Sequence, residues 1–228
     1  MTSQAIIRVG LMIPANNTTM EQELPGWMPK PTSCDVIRIP RPPGLLTPGD
    51  IPAYVESAVE LAGAYVQRPV DVVVYGCTAA GILAGPAQDA AIAHLLGQST
   101  DRPVVTTATS TARWAADQGL RRIALLTPYS EEVNQRLLAF LAAFGVGVEV
   151  RHSFGAATTE ELGRITARQV ADGARGLMTD ACDGMFIACS QLPTAGVREA
   201  LEKEFGRPVG SSIHATAHFA GQALREGV

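Results

Sequence analysis

Short apolar runs alternate with longer amphipathic stretches along this chain. Residues 6–13 form the first apolar run, and a polar turn, Pro14-Ala15-Asn16-Asn17-Thr18-Thr19, follows it. The run has the length of a buried parallel strand. Asn or Thr in the turn can cap a following helix, with Glu21 in its early turns. Residues 34–39 read as a second strand. Loop 41–49, punctuated by Pro42, Pro43, Gly44 and Pro48, then leads into a helical stretch over 53–66. Asp71-Val72-Val73-Val74-Tyr75-Gly76-Cys77-Thr78 is the next strand and turn, and another strand-to-helix unit begins at Pro103. Strands alternating with helices predict an α/β fold with a parallel sheet and right-handed crossovers.

The second half of the chain repeats the first. Arg8-Val9-Gly10-Leu11-Met12-Ile13-Pro14 is matched by Arg122-Ile123-Ala124-Leu125-Leu126-Thr127-Pro128. Asp71 to Cys77 is matched by Asp183 to Cys189, and Arg102-Pro103-Val104-Val105 by Arg207-Pro208-Val209-Gly210. Thr158-Thr159-Glu160-Glu161, a capping-box pattern, stands where Thr47-Pro48-Gly49-Asp50 lies in the first half. The matches fall in the same order, which predicts two pseudo-symmetric, Rossmann-like halves over 1–118 and 119–228. The active site is expected in the cleft between them, with the C-terminal helix packing back on the first half.

Composition narrows the partners. The formal charge is −4 with no run of Lys or Arg, so nothing favours a nucleic-acid or anionic-membrane surface. No apolar stretch approaches the roughly 18 residues of a membrane span. The first residues lack a basic segment followed by a long apolar core, so the expectation is a soluble cytoplasmic protein. In that setting the four cysteines, Cys34, Cys77, Cys182 and Cys189, are expected to be reduced. Oligomerisation is open, a homo-oligomer being the base-rate expectation.

Ligands of parallel α/β sheets bind at the carboxyl ends of strands. Here those ends carry Asn16, Asn17 and Thr18, then Cys77 and Thr78, Thr127 and Tyr129, and Cys189 and Ser190. A pseudo-twofold brings Cys77 and Cys189 to opposite sides of one cleft. Two facing thiols can add and remove a proton beside a carboxylate, or one can attack carbon covalently. The hydroxyls, amides and backbone N–H groups nearby can hold the charge that develops. A helix N-terminus behind each sulfur would depress its pKa. Cys34 and Cys182, by contrast, read as packing. His214 and His218 have the i, i+4 spacing of a metal pair, but no third ligand accompanies them, so no metal or cofactor is expected. No nucleotide-binding or zinc-hydrolase motif is present.

Four segments carry a resemblance over nearly the whole chain: Val9 to Glu21, Tyr75-Gly76-Cys77-Thr78, Leu126 to Asn134, and Ala188-Cys189-Ser190-Gln191-Leu192. They resemble the aspartate/glutamate racemase superfamily, in its branch of maleate cis-trans isomerases and arylmalonate decarboxylases. In the decarboxylases a Gly stands at the first cysteine position, so two cysteines imply isomerase or racemase chemistry. The resemblance implies that Cys77 is the nucleophile and Cys189 the acid/base. It implies that Asn17 and Tyr129 bind a substrate carboxylate and that Thr78 contributes to an oxyanion hole; Ser190 and Asn16 are further substrate-binding candidates from their strand-end positions. Asn134, matching the Asn of the Tyr-containing motif, is read as structural. Tyr75-Gly76-Cys77 departs from the Tyr-Ala-Cys usual in the isomerases. The expected activity is cis-trans isomerisation of a small dicarboxylate. The alternatives are two-cysteine racemisation of an amino acid or hydantoin, decarboxylation of a malonate, and carboxylate binding without catalysis. Loop 41–49, with Leu45 and Leu46, is a candidate lid.

Overall fold

The computed structural model describes residues 6–226. The first half holds β1 (Ile7–Pro14), α1 (Thr19–Trp27) and β2 (Thr32–Ile39). A 3₁₀ turn at Pro48–Asp50 leads to α2 (Ile51–Ala62), α3 (Ala64–Gln67) and β3 (Val72–Tyr75). Next come α4 (Thr78–Ala84), α5 (Pro86–Thr100), β4 (Val104–Thr106) and α6 (Thr107–Asp117). The second half holds β5 (Arg122–Thr127), α7 (Glu131–Ala142), β6 (Gly147–Ser153), α8 (Thr159–Gly163) and α9 (Ala167–Arg175). It closes with β7 (Gly184–Ile187), α10 (Arg198–Phe205), β8 (Val209–Ser211) and α11 (Ser212–Glu226).

The strands form two four-stranded parallel sheets, ordered β2-β1-β3-β4 and β6-β5-β7-β8. The repeat read from Arg8, Asp71 and Arg102 is therefore a repeat of topology. Asp71 and Asp183 show it at the level of single bonds. Asp71 accepts from the Arg8 backbone N–H at 2.7 Å, and Asp183 accepts from that of Arg122 at 2.8 Å. Each carboxylate pins the start of its half's first strand.

The elements differ from expectation in three details. β2 begins at Thr32, two residues before Cys34, because its early residues pair in register with β1 from Ile7 onward. The helical stretch over 53–66 begins earlier, at Ile51, and divides at Gly63 into α2 and α3. Thr158 does cap α8, its Oγ1 accepting from Glu161 N at 3.1 Å, but the reciprocal half of the box is displaced. Glu161 accepts from Ala157 N rather than from the cap residue, whereas Thr47 with Asp50 closes the full motif.

Each half's last helix packs into the other half. Ala108, Ala112, Trp114 and Ala115 of α6 lie in one core with Ile123, Leu125, Phe186 and Val209. Ile213, Ala217 and Ala220 of α11 share a core with Val9, Leu11, Met20, Val72 and Val74. Gly210 makes this exchange possible, since a side chain there would collide with the Trp114 ring. The exchange buries both apolar helix faces and holds the two sheets' carboxyl ends toward a common cleft.

Candidate active site

The turns after β1, β3, β5 and β7 converge on one cavity of about 80 Å³. Asn17, Cys77, Thr78, Tyr129, Cys189 and Ser190 all line it. Leu45, Leu46, Val133, Ala156 and Leu162 form its apolar wall, and Arg41 and Gln191 complete it. Their strand-end position and the internal repeat singled out the two cysteines, and both open into this space.

Cys77 ends the β3 turn and precedes α4. The backbone N–H groups of Ala79 and Ala80, the Tyr54 hydroxyl and the Arg41 charge all favour its thiolate. Burial outweighs them, and its pKa lies above that of an ordinary thiol. Cys189 is pushed up to about 11, chiefly by burial, against the N–H groups of Gln191 and Leu192 and the Tyr129 hydroxyl. Negative charge on Cys77 raises it further. The expected depression of both thiols is thus reversed by burial. Moreover, no helix starts directly behind Cys189: residues 190–197 are turns and irregular loop, and α10 begins only at Arg198. Gln191 N reaches the Cys189 sulfur at 3.4 Å from within that turn.

The neutral donors are held in a network that crosses the cleft. Ser190 N–H donates to Thr78 Oγ1 at 3.2 Å, and Ser190 Oγ donates to the Gly76 carbonyl at 2.9 Å. Gly76 is required here, because a Cβ would stand 2.7 Å from Ile13 Cγ2 and 2.8 Å from the Met20 sulfur. That close packing accounts for Gly in place of Ala before Cys77. Ser212 Oγ accepts from Cys189 N at 3.1 Å and fixes the second thiol's backbone.

Asn17 combines two roles. Its Oδ1 accepts from Thr19 N and Met20 N, both at 3.1 Å, and so caps α1. Its Nδ2 donates to Ser190. Asn16 is not among the lining residues. It sits behind the cavity, donating to Gln191 Oε1 at 3.0 Å and accepting from Arg41 Nη1 at 3.2 Å. Through these bonds it supports Gln191 and Arg41, which do line the cavity. Asn134 is structural as read: it accepts from Thr127 Oγ1 at 2.7 Å and donates to the Tyr129 carbonyl at 2.9 Å. These bonds, with Ser153 Oγ on the same carbonyl at 2.6 Å, hold Tyr129 over the cavity. Its hydroxyl, beside Cys189 and Thr78, is buried without a hydrogen bond of ordinary geometry.

Tyr54 and Arg41 escaped sequence reasoning as individual residues. Tyr54 belongs to the buried stripe Ile51, Tyr54, Ala58 and Ala62 of α2, so periodicity marks it only as core. Its hydroxyl nonetheless lies against Cys77, as that of Tyr129 lies against Cys189. Arg41 had one signal, its place in a Pro/Gly loop after a strand end. Cys34 and Cys182 lie outside the cavity, and all four thiols are free. His214 is wedged between the rings of Trp27 and Trp114. Among the described residues no group of three or more His, Cys, Asp or Glu is placed to hold a metal ion. No helix among them is long and apolar enough to cross a membrane.

Two parallel sheets of matching order thus each present a cysteine, from the homologous strand end, to one cavity. The chain belongs to the arylmalonate decarboxylase family, whose pattern matches residues 46–225. It is 30% identical to an arylmalonate decarboxylase of Bordetella bronchiseptica, over 74% of this chain and 71% of that one. It is 29% identical to a maleate isomerase of Nocardia farcinica, over 93% of this chain and 88% of the relative. A solved structure of the Nocardia farcinica maleate cis-trans isomerase, a Cys-to-Ser variant with a covalently bound succinylcysteine intermediate, superposes with a TM-score of 0.88. That match covers 97% of this chain and 94% of the other at 24% identity.

Proposed function

We propose that this protein is a cis-trans isomerase of a small dicarboxylate, of the maleate-to-fumarate kind, acting through its own side chains without a cofactor. The observation that carries this reading is the opening of Cys77 and Cys189, from homologous strand ends, onto one buried cavity lined by neutral donors. The volume supports a small acid. At roughly 10–15 Å³ per enclosed water, the cavity holds a handful of water positions, a space suited to a four-carbon diacid.

In the reaction, the Cys77 thiolate forms a bond to one alkene carbon. The π pair moves onto the carboxylate attached to the other, giving an aci-carboxylate that Asn17, Thr78, Tyr129 and nearby backbone N–H groups stabilise. The Cys189 thiol protonates that carbon, leaving a succinyl thioether. The former double bond rotates. The Cys189 thiolate then takes the proton back, the C–S bond breaks, and the trans acid leaves with the Cys77 thiolate restored. No electrons are gained or lost overall.

Decarboxylation of a malonate is the second reading, favoured by the apolar wall of Leu45, Leu46, Val133 and Leu162. Decarboxylation followed by protonation calls on one proton donor, so it leaves Cys77 without a task. Proton NMR of the purified protein with maleate separates the two. Conversion of the maleate vinyl signal to that of fumarate, lost in Cys77→Ala, supports isomerisation. Carbon dioxide release from phenylmalonate with maleate untouched supports decarboxylation instead. A small-molecule substrate and an assembly of identical subunits fit this reading.

A further inference from the structure

Arg41 is the single charged side chain among the residues lining the cavity. It follows β2 at the start of loop 41–49, whose Leu45 and Leu46 also face the cavity. Its neighbours hold it in place without neutralising it. Nη1 donates to Asn16 Oδ1 at 3.2 Å, and Nη2 donates to the Gly44 carbonyl within the loop. Nε is buried and has no acceptor. Guanidinium offers five N–H donors in a planar fork, so these two bonds leave three without a protein acceptor.

Among the described residues Arg41 forms no ion pair. The contrast with Arg38 is direct, because that side chain meets Glu21 at 2.6 Å. Asp50 feels the Arg41 charge, but its carboxylate is committed to Thr47 N and Oγ1 at 2.8 and 2.6 Å. A partly buried guanidinium with unused donors at the edge of an enclosed, largely apolar pocket calls for an anion from outside the chain.

We infer that Arg41 binds the second carboxylate of a dianionic substrate and sets the preference of the site for diacids over monoacids. The first carboxylate occupies the neutral cradle of Asn17, Thr78, Tyr129 and Ser190 between the thiols. Those groups recognise a carboxylate but cannot count charges. Arg41 can, and the apolar wall strengthens the pairing by excluding water. Because Arg41 belongs to the loop, a bound diacid also fastens the loop over the reacting carbons. The same charge favours the Cys77 thiolate, so recognition and nucleophile activation share one residue. The inference rests on the diacid reading of the site, and its test separates the two.

Steady-state kinetics on maleate and its monoamide, maleamate, in the wild type, Arg41→Gln and Arg41→Lys give the direct readout. For Arg41→Gln, kcat/KM on maleate falls about 100-fold, mainly through KM, and on maleamate by no more than about tenfold. Arg41→Lys restores part of the preference for the diacid. An equal fall on both acids, or an unchanged ratio, overturns the inference and marks Arg41 as a loop anchor only. Calorimetric titration of Cys77→Ala with succinate and succinamate reads binding without chemistry. A preference for succinate that disappears in the Arg41→Gln, Cys77→Ala double variant supports Arg41 even where maleate is not isomerised. A preference that persists there overturns it even where isomerisation is intact.

Discussion

Asn17 Nδ2 donates to both the Ser190 carbonyl and Ser190 Oγ, at 3.2 and 3.1 Å. One amide therefore fastens the turn after β1 to the turn after β7, across the cleft between the halves. Glu23 reinforces the same seam from α1, accepting from Thr194 N at 2.9 Å and from Ala195 N at 3.1 Å. The segment carrying Cys189 is thus positioned by residues of the opposite half, as Ser190 in turn holds Thr78 and Gly76.

Replacing Asn17 by Ala removes a helix cap and two buried bonds across the cleft. The expected cost is about 2–4 kcal/mol, a lowering of Tm by about 5–10 °C for a chain of this size. Asn17→Asp keeps the cap and loses the donor, so it melts above Asn17→Ala while activity stays low. Calorimetry paired with an isomerisation assay checks both, and equal melting of the two variants would deny Asn17 its capping share.

Because burial raises both active-site thiols, the ligand-free protein reacts slowly with iodoacetamide at neutral pH. Thiolate is the reacting form, so the rate climbs about tenfold per pH unit from 7 to 9. Tyr54→Phe removes a hydroxyl that favours the Cys77 thiolate, and slows alkylation of the Cys77 peptide more than that of the Cys189 peptide. A rate at Cys77 that is flat across this range would show a preformed thiolate.

His214 titrates far below an ordinary histidine, at about 4, because burial and the nearby Arg198 and His218 charges oppose its protonation. The unfolded chain binds this proton near pH 6.5 and the folded chain only near 4. Stability from this site is complete above 6.5 and is lost as pH falls toward 4, with a slope of up to about 1.4 kcal/mol per pH unit. Glu23 and Asp89 have raised pKa values and oppose this trend. The measurement is therefore the difference in unfolding free energy between wild type and His214→Phe. That difference shrinks as pH falls through this window, and a pH-independent difference would contradict it.

The sequence carried much of this, for physical reasons. β3 and β7 are short, wholly buried strands ended by a Gly76-Cys77 or Ala188-Cys189 turn, so their apolar runs and their repeat were both visible. Strand ends in parallel sheets face ligands, which put Cys77, Thr78, Cys189 and Ser190 at the site before any coordinates. Tertiary packing decided the rest. Tyr54 follows the same periodicity as any core residue of α2, and only the crossing of α2 over the β3 turn aims its hydroxyl at Cys77. Arg41 lies in a loop without periodicity. The repeat also overstated the symmetry at Cys189, because identical strand patterns are followed by a helix in one half and by turns in the other. The thiol pKa values likewise depend on enclosure by both halves.

Covalent catalysis by Cys77 with proton transfer by Cys189 is read out by intact-protein and peptide mass spectrometry of Cys189→Ser incubated with maleate. In this variant water replaces Cys189 as a slow proton donor to the aci-carboxylate, and with no thiolate to take that proton back the succinyl thioether persists. An added mass of one maleic acid is expected, located on the Cys77 peptide and absent from the Cys77→Ala, Cys189→Ser double variant. An unmodified Cys77 under conditions in which the wild type converts maleate to fumarate would contradict it.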